Sequence, residues 1–247
     1  MIDLTEQQFF DYIRCPALYD MKYNHKLLIN KPVTIKDILQ KATLAYYNLT
    51  IQRVQNNESP VSFRALTTKY ESFFKPYKDI INRNDYTKGL IALQNFFNYM
   101  KSIELAVFNI NSAYKITHKD VSLQGILNPI AVNQKKQLEF LIMNYSNRTP
   151  DILEGELKLK YTIDQLAFNK SNRDLQVNGL RVHTVKNVKK DTDLLIAKND
   201  NDFNRFYSTL YNVGQAIQNN IYFVRDDHMC SSCLYKHQCK AWKRSDE

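Results

Sequence analysis

The placement of the four cysteines constrains the fold of this chain more than any other feature of its sequence. Cys15 lies near the start, whereas Cys230, Cys233 and Cys239 form a C-x2-C-x5-C group near the end. Two zinc knuckles would show two close pairs of cysteines, but Cys15 has no cysteine near it. Three clustered thiolates with one remote thiolate are better matched to a cubane iron–sulfur cluster. We therefore expect a metal centre that brings the two chain ends side by side.

Other uses of the four cysteines stay open at this stage. His228 and His237 flank the C-terminal group, so a zinc site is an alternative. Disulfides form rarely inside cells, and the N-terminus lacks the basic and apolar regions of a signal peptide. Buried free thiols would explain Cys15 but not the spacing of the other three. A cluster that closes the loop from Cys15 to Cys230 would add about 5 kcal/mol to the folding free energy.

Charge and hydropathy exclude some classes of protein. The chain has 247 residues, a net charge of +9 and 44% hydrophobic residues, which is ordinary for a globular protein and not for a disordered one. No apolar run approaches the roughly 18 residues that a membrane span needs. The positive balance favours a polyanionic partner, usually nucleic acid. We expect a soluble protein with no membrane contact, in the cytoplasm of a bacterial cell or a virus-infected host cell. Its richness in Asn, Lys and Tyr is typical of an AT-rich genome, such as that of a virus.

The hydrophobic patterns predict one α/β domain over residues 1–247. Residues 1–104 are predicted to be mainly helical, without strands, because their apolar residues recur at helical spacing. Residues 105–200 form an α/β core, and residues 201–247 carry a helix and the cysteine group. The predicted strands span residues 121–127, 138–145 and 180–185, and the predicted helices of the later part span 162–172 and 202–219.

The motifs at the two ends resemble those of a known family. Phe9-x-x-Tyr12-x-x-Cys15-Pro16, a βαβ core and the terminal C-x2-C-x5-C group are similar to the iron–sulfur PD-(D/E)XK nucleases. That family includes RecB-type exonuclease domains, AddB and the CRISPR-associated iron–sulfur exonucleases. The resemblance covers residues 5 to 240. It implies a restriction-endonuclease-like core, with a mixed sheet flanked by helices, and a 4Fe–4S cluster on the four cysteines.

The resemblance also implies where the catalytic residues should lie. In the family, acids in G-x-x-D and (D/E)-x-K hold Mg²⁺ or Mn²⁺, and an upstream helical histidine adds a contact. Here Asn128 replaces the first acid, Met143 and Tyr145 replace the second acid and the lysine, and Gln40 replaces the histidine. Gln165 is retained from a following Q-L-x-x-Y pattern. Since amides and thioethers bind hard dications poorly, we expect no intact metal site and no bound Mg²⁺ or Mn²⁺.

Two alternatives compete with this interpretation. A shifted register does not restore the motif, because no Asp or Glu lies between Glu139 and Asp151. An active metal-dependent nuclease could still use Glu139, Asp151 or Glu156 in an unusual arrangement, and Pro150-Asp151 with Glu156-Leu157-Lys158 imitates the motif at short spacing. A structural zinc module for protein–protein contact is the third hypothesis.

Two groups of basic residues are candidates for contact with DNA phosphates. The first lies on and after the third predicted strand, and the second surrounds the last cysteines, where Tyr235 and Trp242 could stack on bases. A solvated strand edge or a charged tail explains the same residues without DNA. The candidates are Arg181, His183, Lys186, Lys189, Lys190, Lys236, Lys240, Trp242, Lys243 and Arg244.

Together these features predict a catalytically degenerate nuclease-like protein. We expect it to bind single-stranded or duplex DNA, or to act as a subunit of a DNA-processing or transcription complex together with a protein partner.

Overall fold

The structure is a computed structural model that describes residues 1–27, 29, 31–103, 106–145, 154–172, 174–185, 192–194, 198–225 and 230–240. The helices in these ranges are α1 (Glu6–Arg14), α2 (Pro16–Tyr19), α3 (Ile35–Gln55), α4 (Phe63–Phe74), α5 (Arg83–Ser102), α6 (Glu154–Ser171) and α7 (Asp200–Gln218). The strands are β1 (Ile2–Thr5), β2 (Ala106–Asn109), β3 (Ala113–His118), β4 (Val121–Ile126), β5 (Ile130–Val132), β6 (Leu138–Asn144), β7 (Val177–Thr184) and β8 (Thr192–Leu194). None of the helices in the described ranges is long and apolar enough to span a bilayer.

The strands form two sheets, so the chain is α/β with mixed sheets flanked by helices. The smaller sheet has the order β1-β4-β3, with β1 parallel and β3 antiparallel to β4. The larger sheet has the order β2-β5-β6-β7-β8, in which β6 and β7 are parallel and the other pairs antiparallel. Because α6 joins β6 to β7, the predicted βαβ unit is confirmed.

The expectation that no strand precedes residue 105 is wrong. Residues Ile2–Thr5 pair with β4, and Leu4, opposite Leu123, is buried. A four-residue strand is too short to show a period in sequence, and its pairing comes from a distant segment. Thr5 ends this strand and begins α1, where its side chain and that of Gln8 form a capping box.

The contacts divide the chain into two compact units. The first consists of residues 1–32, 113–126 and 200–247, and the second of residues 33–112 and 127–199. These boundaries differ from the three expected sub-regions, and the single domain stays a prediction. In the first unit, α7 packs so closely on β4 that a Cβ on Gly214 would come within 2.3 Å of Val121 Cγ2.

In the second unit, the two faces of β6 contact different helices. Leu141 and Tyr145 belong to a buried cluster formed with residues of α3, α4 and α5, which we call the bundle face. Phe140 instead contacts Tyr161 and Phe168 of α6, on what we call the α6 face. Side chains alternate along a strand, so odd-numbered residues of β6 lie on the bundle face and even-numbered ones on the α6 face.

Candidate functional site

Asn128, at the position of the first acid, contacts a buried carboxylate on α6. Its Nδ2 donates to Asp164 Oδ2 at 2.6 Å, and Lys160 Nζ donates to Asp164 Oδ1 at 2.6 Å. The Asp164 side chain is 0% exposed and that of Lys160 is 16% exposed. A buried carboxylate requires such partners, because an unpaired charge in the interior is very costly. Here both oxygens of Asp164 have a donor, and a lysine supplies the positive charge.

The predicted positions of the first and second motifs lie on different faces of the larger sheet. Met143 and Tyr145 lie on the bundle face, whereas Asn128 contacts α6, so these three side chains lie on opposite faces of the sheet. Asn144 is the last β6 residue on the α6 face, and its Nδ2 donates to Thr184 Oγ1 at 3.3 Å. The even-numbered residues of β6, which lie on the α6 face, include no acid.

The predicted positions on the bundle face are part of the hydrophobic core. Met143 packs against the buried cluster, and the Tyr145 hydroxyl forms a hydrogen bond with Thr43 of α3. Burial raises the pKa of Tyr145 well above its ordinary value, so this phenol is neutral at physiological pH. Gln40, in the place of the histidine, is exposed on α3. Met143 and Tyr145 therefore serve the packing of the bundle face.

Gln165, the retained residue, has a structural role. Its Nε2 donates to the Val177 carbonyl at 2.7 Å, and its Oε1 accepts from the Lys198 backbone N–H at 2.7 Å. Gln165 is buried and thus ties α6 to the first residue of β7. The amide satisfies backbone groups that would otherwise be buried without partners.

The carboxylates of the active-nuclease alternative do not converge in the described residues. Glu139 is buried, and its Oε2 accepts from Arg181 Nε at 2.9 Å while its Oε1 accepts from Asn133 Nδ2 at 2.5 Å. Glu156 is exposed on α6. Asp151 lies outside the described residues. Nothing in the described part of the chain therefore favours metal binding by this set.

Two of the residues expected to contact DNA, His183 and Arg181, are mostly buried. His183 is 0% exposed, and its ring stacks on Tyr99 at 3.8 Å between centroids. A phosphate cannot reach it there, which corrects the expectation. Burial lowers the pKa of Arg181, but the hydrogen bond and charge of Glu139 outweigh burial and raise it above its ordinary value. Arg181 remains charged, with 17% of its side chain exposed.

Of the other candidates for contact with DNA, Lys236 and Lys240 lie within the described residues. Lys240 is exposed and Lys236 is half-buried beside the last cysteines, so both are accessible to a phosphate. The remaining candidates, Lys186, Lys189, Lys190, Trp242, Lys243 and Arg244, lie outside the described residues.

The cysteine-bearing ends of the chain lie side by side in the first unit, as the sequence predicts. Ala17 N–H donates to the Phe223 carbonyl at 3.1 Å, and Arg225 donates to the Ile13 carbonyl at 3.0 Å. Two tyrosine hydroxyls add further links, from Tyr12 to the Ile221 carbonyl at 2.6 Å and from Tyr235 to the Leu27 carbonyl at 3.1 Å.

The four cysteines are free thiols in one neighbourhood. All four are half-buried, and turns fix the C-terminal three through hydrogen bonds such as Cys233 N–H to the Cys230 carbonyl. Burial raises the pKa of Cys233, and the thiols of Cys15, Cys230 and Cys239 raise it further. Within the described ranges, no three His, Cys, Asp or Glu side chains are close enough to ligate one metal ion.

Sequence reasoning missed two carboxylates that organise these sites, Asp11 and Asp164. Asp11 is buried in α1 and accepts from Lys22 at 2.7 Å and from Tyr23 at 2.8 Å. Its carbonyl also accepts from Cys15 N–H, so it fixes the chain on both sides of this cysteine. Asp164 follows Lys160 at i,i+4, a spacing that usually marks a solvated pair. No sequence signal distinguishes either residue from an exposed acid.

Comparison with known proteins supports the fold only. No family model matches the chain, and no curated protein matches it. Its fold is similar to that of a crystal structure from Eubacterium rectale described as a candidate exonuclease, with a TM-score of 0.55 and 9% identity over 96% of this chain and 87% of that one. A second solved chain, SSO0001, aligns with a TM-score of 0.41 and 10% identity over 96% and 95% of the two chains, too low to carry an argument. The first likeness shows a nuclease-like fold.

Proposed function

We propose that this chain is a catalytically degenerate nuclease-like protein that binds DNA as part of a DNA-processing or transcription complex. The observation that carries the proposal is the set of bonds at Asp164. Metal-dependent nucleases leave carboxylate oxygens open to a dication. Here Lys160 and Asn128 occupy both oxygens of the carboxylate at this strand end, so the charge that a metal would supply is already provided by an ammonium group.

The binding of DNA is supported by charge and by fold. The net charge of +9 favours a polyanion, and Lys236 and Lys240 are accessible cations in the described residues. The fold is similar to that of a candidate exonuclease, a class of protein that contacts nucleic acid ends. A nuclease-like protein without metal ligands can keep this surface while it no longer cleaves.

A 4Fe–4S cluster on Cys15, Cys230, Cys233 and Cys239 is part of the proposal. A single zinc ion holds thiolates about 3.8 Å apart, at Zn–S distances of about 2.3 Å. A cubane carries its thiolates on four different irons and therefore holds them further apart, which suits thiols that are near each other without forming a tight group. Anaerobically purified protein should contain iron and acid-labile sulfide. Zinc in place of iron would support the zinc module instead.

One experiment tests cleavage and binding together. The anaerobically purified protein is incubated with end-labelled single-stranded and duplex DNA, with Mn²⁺ or Mg²⁺, and the same samples are scored for retardation and for cleavage. We expect retardation that weakens with salt, and no metal-dependent cleavage. Cleavage that persists through further purification and stops with a chelator would overturn the degenerate site. Absence of retardation with both DNAs would overturn the binding of DNA.

A further inference from the structure

A pocket in the second unit lies away from the degenerate strand end. It has a volume of about 380 Å³ and is bounded by the β5–β6 hairpin, the end of α5 and the pair Glu139–Arg181. Glu139 is on the bundle face, opposite the face that carries Asn128 and Asp164. It also precedes Met143 by four residues, about 13 Å along the strand. The pocket is therefore separate from the site around Asn128 and Asp164.

The walls of the pocket are held in place by hydrogen bonds. Asn133 Oδ1 accepts from the backbone N–H groups of Lys135 and Gln137, at 2.9 and 3.0 Å, which fixes the hairpin. Asn133 Nδ2 donates to Glu139, which in turn accepts from Arg181. A ligand would meet a preorganised surface and would not have to order this loop on binding.

The chemistry of the lining favours a nucleotide. The charge of Arg181 is offset by Glu139 at 2.9 Å, whereas Lys135 adds a positive charge at the exposed rim. Gln134 and Gln137 place carboxamides in the lining, a group that pairs with the donors and acceptors on nucleobase edges. The Gln137 Oε1 accepts from Asn133 Nδ2 at 3.4 Å, so Gln137 offers its Nε2 donor. Inorganic phosphate would use the cation but not the amides, and it would fill little of this volume. An acidic peptide would require several cations, whereas, among the described residues, Lys135 is the one cation of the lining whose charge no carboxylate of the lining offsets.

We propose that this pocket binds one unpaired nucleotide of a nucleic acid single strand, with Gln134 and Gln137 on the base edge and Lys135 on a phosphate. The inference rests on the proposed binding of DNA and adds a preference for single strands over duplexes. A base offers its pairing edge to a protein only when it is unpaired, so the protein should bind a single strand more tightly than the matching duplex.

The test is fluorescence anisotropy with a short labelled DNA single strand and its duplex. Lys135→Asn should weaken single-strand binding about tenfold and reduce the salt slope by about 1. Gln134→Ala should weaken it to a similar extent but leave the salt slope unchanged. Lys136→Asn is the matched control, because Lys136 is the exposed neighbour outside the pocket lining, and asparagine tolerates its φ of 60°. Thermal unfolding verifies that each variant is folded.

The outcomes separate this inference from the proposed function. Equal losses for Lys135→Asn and Lys136→Asn would indicate unspecific charge and overturn the pocket, as would equal affinity for single strand and duplex. Wild-type binding that none of the variants weakens would overturn the pocket alone. A wild-type protein that binds neither DNA would overturn the proposed function and this inference together. Weakening by Lys135→Asn and Gln134→Ala, but not by the control, supports the pocket.

Discussion

The side-chain amide of Asn128 donates to the carboxylate of Asp164 at 2.6 Å, on the α6 face of the larger sheet. An acid at position 128, which the G-x-x-D pattern would require, would place two carboxylates at this distance in a buried site. They would repel each other unless one took up a proton or a cation lay between them. The amide removes that need, because it donates to Asp164 without adding a charge.

Asn128→Asp should therefore destabilise the protein at neutral pH and make its stability depend on dications. We expect a loss of about 2–4 kcal/mol in the free energy of unfolding, smaller at acid pH and smaller again with Mn²⁺. Denaturant unfolding with and without Mn²⁺ measures both effects. Asn128→Ala is the control, since it removes the hydrogen bond without adding charge. If both variants lose the same stability and neither responds to Mn²⁺, the interpretation of this contact is incorrect.

Lys160→Met should be among the most destabilising changes on α6. It leaves the fully buried Asp164 without its cation, at a cost of about 3–5 kcal/mol. Lys158→Met, at an exposed position of the same helix, should change the free energy of unfolding by less than about 0.5 kcal/mol. Chemical denaturation of both variants measures the difference, and similar stabilities for the two would contradict a buried ion pair.

Stability at alkaline pH should depend on Tyr161. Burial raises the pKa of Tyr161 to about 12, whereas a tyrosine in the unfolded chain titrates near 10.0. The folded protein thus keeps a proton that the unfolded chain releases, so this contribution is complete below pH 10 and is lost as the pH rises towards 12. Thermal unfolding against pH, with tyrosinate absorbance, measures the loss.

Tyr161→Phe should reduce that alkaline loss by up to about 2 kcal/mol. It should cost little near neutral pH, because the Tyr161 hydroxyl has no hydrogen-bond partner in the described part of the chain. Tyr211→Phe, at a half-buried position, is the control. An alkaline profile unchanged by Tyr161→Phe would show that this phenol is solvated.

Cys233→Ser should remove the proposed cluster and, with it, most of the stability that comes from closing the loop between the chain ends. We expect a loss of about 3–5 kcal/mol and a lower midpoint of thermal unfolding in anaerobic buffer, together with loss of bound iron. Ser232→Ala, beside it, should retain iron and the wild-type midpoint. A stable, soluble Cys233→Ser protein would contradict the role of the cysteines as a staple.

The sequence predicts the regular elements better than the details of the site. The strand at 121–126 and the helix at 200–218 have clear periodicity and are found within two residues of the prediction. The run Leu138–Met143 is almost entirely apolar because both faces of β6 are covered, so it has no alternation to define a face. A shift of one residue exchanges the faces of a strand, so the sequence could not show that Met143 lies on the face opposite Asn128.

The glycine of the first motif shows a different limit. Gly125 matches the glycine of the G-x-x-D pattern. The residue three positions later, where the pattern has a metal-binding acid, is Asn128. In the first unit, a Cβ on Gly125 would come within 2.4 Å of Glu6 Oε2, which accepts from the Tyr114 hydroxyl at 2.7 Å. A side chain at position 125 would require Glu6 or Tyr114 to move, which is a packing reason for the glycine. Glu6 lies far from Gly125 in sequence, so the sequence alone gives no sign of this contact.

The first unit is built from three separate stretches of chain, and this determines the order in which the two units can fold during synthesis. Residues 33–199 contain every segment of the second unit, so that unit can fold while the C-terminal part is still being made. The first unit must wait for α7 and for the segment that carries Cys230, Cys233 and Cys239. Until then Cys15 lacks the three thiols with which the proposed cluster would form, so this interval is when oxidation of Cys15 would do most harm.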